Sequence, residues 1–251
     1  MSLLDSSMHT SVPATRDALD IAPLAGDTPS PHRPLGGAWP LAALVAGPAA
    51  FATPFVFEVV LDHSTTDKGP LAVYQAIADK GTQAHIGMDL AFLAALGLGV
   101  FAAGFTRFID ARTPRGSSLG SLVRHAFSAA LALSVLIAVL KAALRGGLPD
   151  HGDSAMYARE SVGVFYNFID QIQYTSLWPL VLAQFAVAGL AFRYRVLPRW
   201  YGALSGLLVV ATLLMAFVLG LPYFAGLVGP AWLVVSGLVA LRHRNRFVQV
   251  P

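Results

Sequence analysis

The stretch from Pro40 to His63, PLAALVAGPAAFATPFVFEVVLDH, decides the fold. It is apolar from Leu41 to Phe57 and then carries Glu58, Asp62 and His63. The hydrocarbon core of a bilayer is about 30 Å thick and takes about 20 residues of helix to cross. The run therefore has the length of one crossing, and Glu58 falls where a lipid-facing helix should carry only apolar groups. The first part of the stretch sets the class of protein, and the carboxylate poses the question of function.

The rest of the chain agrees with that class. Of 251 residues, 55% are hydrophobic and only 12% charged, and the mean hydropathy is +0.61. That is more apolar surface than a soluble domain of this length buries. Five further runs have spanning length: about 86–108, 122–144, 172–193, 198–220 and 223–242, beside 40–61 itself. The last two are separated by Pro222, which breaks an otherwise charge-free stretch from Tyr201 to Leu241 too long for one helix. The sequence thus predicts an all-α polytopic membrane protein, a bundle of six transmembrane helices over 39–246. Before it, residues 1–38 are rich in Ser, Thr, Pro and Asp and predict a disordered tail; 247–251 are a short C-terminal tail.

Orientation follows from the basic residues. Arg16 and Arg33, Arg107, Arg112, Arg115 and Arg124, Arg193, Arg195 and Arg199, and Arg242, Arg244 and Arg246 all fall on one side of a six-span chain. Lys68, Lys80, Lys141, Arg145 and Arg159 fall on the other. The positive-inside rule then puts both termini in the cytoplasm, in a bacterial inner membrane. With the excess charge encoding topology, no nucleic-acid partner is implied. There are no cysteines, which excludes disulfides, thiolate metal sites and a catalytic Cys.

The two long outer loops predict short amphipathic helices. In Gly69 to Lys80, Leu71, Tyr74 and Ala78 recur at helical spacing; in Ser154 to Ile172, Met156, Val164, Phe165, Phe168 and Ile172 alternate with polar residues. They read either as interfacial helices, with Tyr157, Tyr166 and Tyr174 in an aromatic belt, or as a lid. Ala95, Gly99 and Ala103 in span two, and Gly202 and Gly206 in span five, are spaced as close-packing helix faces. Pro54, Pro179 and Pro230 predict kinks in spans one, four and six.

Several spans become polar near their outer ends. Glu58 and Asp62, His85 and Asp89, and Lys141 and Arg145 are each four residues apart, so each pair shares a helix face. Span four begins Asp170, Gln171, Gln173, Tyr174, and Gln184 sits midway along it. Charges at such depth face the bundle interior and pair. Lys141 is the deep cation and Glu58 and Asp89 the deep anions. Either they form a buried ion pair that fixes helix register, or one carboxyl group is left to exchange protons. Glu58, Asp89 and Lys141 are the candidate reactive groups; His85, Asp62, Asp170, Gln173, Tyr174 and Gln184 are the candidate ligand contacts.

His63, His85 and His151 with Asp62, Asp89, Asp150 and Asp153 all lie on the outer side, yet no two histidines have the spacing of a local helical ligand pair, so no metal is assigned. No cofactor is named by any motif. Phosphate-binding glycine loops and H-E-x-x-H are absent from the sequence.

The segment Arg193 to Val210, RYRVLPRWYGALSGLLVV, with a last span ending Leu-Arg-His-Arg at 241–244, resembles a group of six-span bacterial membrane proteins common in actinobacteria. The likeness covers about the last eighty residues. It implies the fold and no activity, and carries over no site residue. Three functions remain open from sequence: a ligand-binding or transport site in the outer half of the bundle; a membrane-embedded enzyme using a buried carboxyl group on an isoprenoid or lipid-like substrate; and an accessory subunit of a larger membrane complex. The expected partners are accordingly the lipid bilayer, a small-molecule or lipid-like ligand, and a membrane-protein partner or a second copy of the chain.

Overall fold

The deciding stretch forms helix α1, Trp39–Phe57. The computed structural model describes residues 37–57, 65, 67–114, 116–150 and 154–243. Glu58, Asp62, His63, His151 and Asp153 and both expected tails, apart from Gly37 and Ala38, lie outside these. After α1 come α2 (Pro70–Ile77), α3 (Gly81–Asp110), α4 (Ser118–Gly146), a 3-10 turn at Ser154–Met156, α5 (Arg159–Thr175), α6 (Pro179–Arg193), α7 (Arg199–Phe217) and α8 (Phe224–His243). Among the described residues there is no strand. Six segments are long and apolar enough to cross a bilayer: α1, α3, α4, α5 with α6, α7 and α8. The chain is an all-α, multi-pass membrane protein.

Helix α1 lies between α3 and α8, and small residues let it in. A Cβ on Gly97 of α3 would stand 3.0 Å from the Ala42 carbonyl, and one on Gly237 of α8 would stand 2.8 Å from that of Pro40. In lipid, where apolar burial gives helices no reason to associate, such close backbone packing is a main attraction. The expected faces hold in part. Gly202 and Gly206 do pack on α6, against Ala191 and Ala188, and Ala95 is buried. Ala103, however, is exposed, and the tight contacts of α3 fall instead at Gly97 and at Gly104, which meets the Trp39 ring.

One end of the bundle is filled with aromatic rings. Trp39, Phe101, Phe105, Phe127, Trp232 and Tyr201 follow one another with centroids 5.2 to 6.2 Å apart. We call this the arginine end, since Arg107, Arg112, Arg124, Arg193 and Arg199 surround it in sequence.

The other end, the cap end, has its own apolar cluster. Helices α3 and α4 have 30 and 29 residues, and α5 with α6 spans 35. At 1.5 Å per residue the last is about 52 Å, well over the bilayer core of about 30 Å. The excess is gathered at one place: Val73, Tyr74 and Ile77 of α2 pack with Ala84, Leu144, Leu148, Val162, Tyr166 and Ile169. Gly163 brings α5 against the start of α2, where a Cβ would come within 2.0 Å of the Pro70 carbonyl. Arg159 lies over the Tyr74 ring at 5.9 Å.

The loop helices are thus real, and Tyr74 is buried with Ala78 and Phe165 packed beside it, but the rest of the expected faces are not. Leu71, Met156, Val164 and Phe168 are exposed, while Tyr166 is buried in the cap and not in an interfacial belt. The fourth span is also longer and broken. It starts at Arg159, and Pro179, in place of kinking a helix, opens a new one at its first turn. With no N–H to give the Thr175 carbonyl, proline ends α5 there, and Trp178 N donates to Thr175 O in a tighter turn at 3.1 Å.

Candidate functional site

Lys141 is wholly buried, at 0% exposure, on the inward face of α4. Its Nζ donates to Gln173 Oε1 at 2.8 Å, and Gln173 Nε2 donates to Asp170 Oδ1 at 2.9 Å. Asp170 and Gln173 occupy the same face of α5 one turn from its end, so a single helix supplies both the neutral acceptor and the compensating carboxylate. An isolated buried ammonium costs several kcal/mol in a low-dielectric interior, on the order of the whole stability of a domain. The chain of hydrogen bonds and the Asp170 charge, whose electrostatic influence reaches Lys141, offset that cost.

Next to this chain is a cavity of about 40 Å³. It is lined by Ala50, Thr53 and Pro54 of α1, Ala91 and Ala94 of α3, Ser134 and Ile137 of α4, Gln173, Tyr174, Ser176 and Leu177 around the α5–α6 break, and Gly226 of α8. Ile137 lies one turn below Lys141, and Gln173 both lines the cavity and holds the ammonium. Three interactions fix the break: Tyr223 Oη donates to Gln171 Oε1 at 2.9 Å, Trp178 Nε1 donates to the Pro222 carbonyl at 3.0 Å, and the Tyr174 and Tyr223 rings meet edge to face.

The sequence-derived candidates divide. Lys141, Gln173 and Asp170 come together, and Tyr174 lines the cavity. His85 and Asp89 do pair, at 3.4 Å, but at 56% and 59% exposure on the outside of α3. They share a stripe with Leu93, Leu96 and Val100, all exposed, whereas the inward stripe runs through Ala84, Ala91, Ala94 and Leu98. Asp89 is therefore not a deep counter-ion of Lys141. Arg145 turns instead to Asp150, with Nη1 donating to Oδ1 at 2.7 Å. Gln184 is buried on α6 but does not line the cavity, and its Oε1 has no hydrogen-bond partner among the described residues. Glu58 and Asp62 lie outside the described residues. No group of three His, Cys, Asp or Glu side chains suited to a metal ion occurs among the described residues.

Sequence reasoning missed Thr53, Ser134, Ser176 and Gly226. A signal for three of them was present: Thr53 and Ser176 sit within three residues of Pro54 and Pro179, and Gly226 lies four before Pro230. Hydroxyls and small residues beside a transmembrane proline are where the freed backbone groups are re-satisfied.

Fold and site together define an integral membrane protein of six spans, with a buried lysine beside a small cavity at a broken helix. Set against models of known families, curated proteins and solved structures, the chain matches none.

Proposed function

We propose that the protein is a transport-type membrane protein that takes up a small polar species or ion at the cavity beside Lys141, Gln173 and Asp170. The observation that carries this is the junction of a fully buried ammonium, a small cavity lined in part by Thr53, Ser134, Gln173 and Ser176, and a broken spanning helix in one half of the bundle. Intramembrane ionisable groups are expensive and mark ion or substrate pathways, and discontinuous helices form the binding sites of many secondary transporters.

Size separates this reading from the enzymatic one. Pockets for drug-sized or larger ligands run from about 300 Å³ upward, and a cavity of about 40 Å³ holds only about three waters, or an ion with its oxygens. That size favours a small species over a bulky isoprenoid. The arginine excess at the termini supports a bacterial cytoplasmic membrane with both ends inside.

The test is flux. Purified protein is reconstituted in liposomes carrying an internal pH dye, and ion and pH gradients are imposed singly and together. Protein-dependent flux that disappears in Lys141→Met, with that variant still monodisperse and folded, supports the proposal. Flux no greater than in empty liposomes, or equal in Lys141→Met, removes it.

A further inference from the structure

Most of the arginines at the arginine end have a local reason for their place. Arg124 Nη2 donates to Asp110 Oδ2 at 2.6 Å, and the Arg112 guanidinium lies 4.3 Å from the centre of the Phe108 ring. Arg107 and Arg193 stand in the last turns of α3 and α6, where a cation suits the negative end of the helix dipole.

Arg195 and Arg199 are placed against their local chemistry. Arg195 directly follows the α6 C-cap, Tyr194, at φ 53°, and among the described residues no other non-glycine has a positive φ. Glycine takes that position without steric cost, whereas a side chain there is strained. Arg199 opens α7, so its charge falls at the positive end of that helix's dipole, and the first turn holds no acidic residue. Both arginines are exposed. Neither has an ion pair among the described residues, where the one carboxylate at this end is Asp110, which Arg124 takes.

The turn that carries them joins two spans, Arg159–Arg193 and Arg199–Phe217, and so lies at the level of the lipid headgroups. Trp200, next in the chain, is 55% exposed, as suits an aromatic anchor at the interface. From it an exposed apolar stripe of α7, Leu207, Val210 and Leu214, runs into the membrane.

We infer that Arg195 and Arg199 form a binding site for the phosphodiester headgroup of an anionic phospholipid, whose acyl chains lie along the Leu207, Val210 and Leu214 stripe. A guanidinium fork matches two phosphate oxygens, and the phosphate supplies at the start of α7 the negative charge that the chain itself lacks there. A zwitterionic headgroup brings its own cation and offsets the pair less. Free phosphate would meet the same guanidiniums but leave the apolar stripe unused.

The test takes the full chain in neutral detergent and adds phosphatidylglycerol, phosphatidylcholine or inorganic phosphate. Bound lipid is counted by native mass spectrometry, and the melting temperature is followed alongside. The natural protein should bind phosphatidylglycerol in preference to phosphatidylcholine and be stabilised by it. Arg195→Gly and Arg199→Gln should each weaken that binding about fivefold, the size of one basic residue's attraction to an anionic lipid surface. In detergent alone, Arg195→Gly, relieved of its positive φ, should melt no lower than the natural protein; a fall there would make Arg195 a structural residue and remove it from the site. Lys68→Gln takes the same charge from the cap end and should leave the affinity unaltered. Equal binding of the two lipids, undiminished phosphatidylglycerol binding in both arginine variants, or the same loss in Lys68→Gln overturns the inference. Stabilisation by inorganic phosphate but not by phosphatidylglycerol overturns the lipid assignment.

Discussion

The two halves of the bundle are built from the same apolar alphabet and end in opposite states. At the arginine end six large rings close on one another, and the polar atoms among them are served locally. Trp232 Nε1 donates to Ser205 Oγ at 3.0 Å, the Tyr201 and Ser236 hydroxyls bond to each other, and Ser236 Oγ reaches the Trp232 carbonyl. At the cap end the space between helices is lined mostly by Ala, Gly, Ser and Thr, and a proline interrupts the span just where Lys141 needs a partner. Large side chains make a dry joint, while small residues with broken helices leave room for an ion or water. On the proposed function, packing and binding occupy different levels of the same helices.

The comparison can be broken most severely from the dry side. Trp232→Ala, which empties the centre of the ring stack, should cost about 3–5 kcal/mol of stability by denaturant titration in micelles, yet leave flux per folded molecule unchanged. Lys141→Met should cost about 3 kcal/mol, because Gln173 and Asp170 lose the charge they are arranged around. Adding Asp170→Asn to it should cost less than Asp170→Asn alone does in the natural protein, and a double-mutant cycle measures that coupling. Gly163→Ala forces α5 away from Pro70 and should cost about 1–3 kcal/mol, with faster amide hydrogen exchange confined to α2 and the first turns of α5. Tyr201→Phe removes one hydroxyl from the dry network, at about 1 kcal/mol. His85→Ala, which cuts an exposed pair, should stay within about 0.5 kcal/mol and leave flux unaltered.

Much of this was legible in the sequence, for physical reasons that can be named. A run such as Leu41 to Phe57 has one stable place, so the six spans and their breaks at Pro222 and the arginine clusters follow from hydropathy alone. Lys141 was legible as the deep cation, and Gln173 and Asp170 as polar groups at its level. Pairing was not. Asp89 sits at the right depth but about half a turn off the inward stripe of Ala91, Ala94 and Leu98, and depth without helical phase does not choose partners. The cavity was illegible for a related reason. Its lining is mostly Ala, Ser, Thr and Gly, residues that signal close packing in lipid as readily as a void, and only the joint placement of Pro54, Pro179 and Pro230 distinguishes the two.

The natural chain has no cysteine, so single thiols report directly on the contrast between the halves. Ser134→Cys and Thr53→Cys beside the cavity, and Ser205→Cys in the dry half, are treated in membranes with a small charged thiol reagent, which modifies only thiols that water reaches. The cavity thiols should react, while the Ser205→Cys thiol stays protected. Protection at all three positions would contradict a functional opening in the cap half, and would leave Lys141 as part of a dry structural joint.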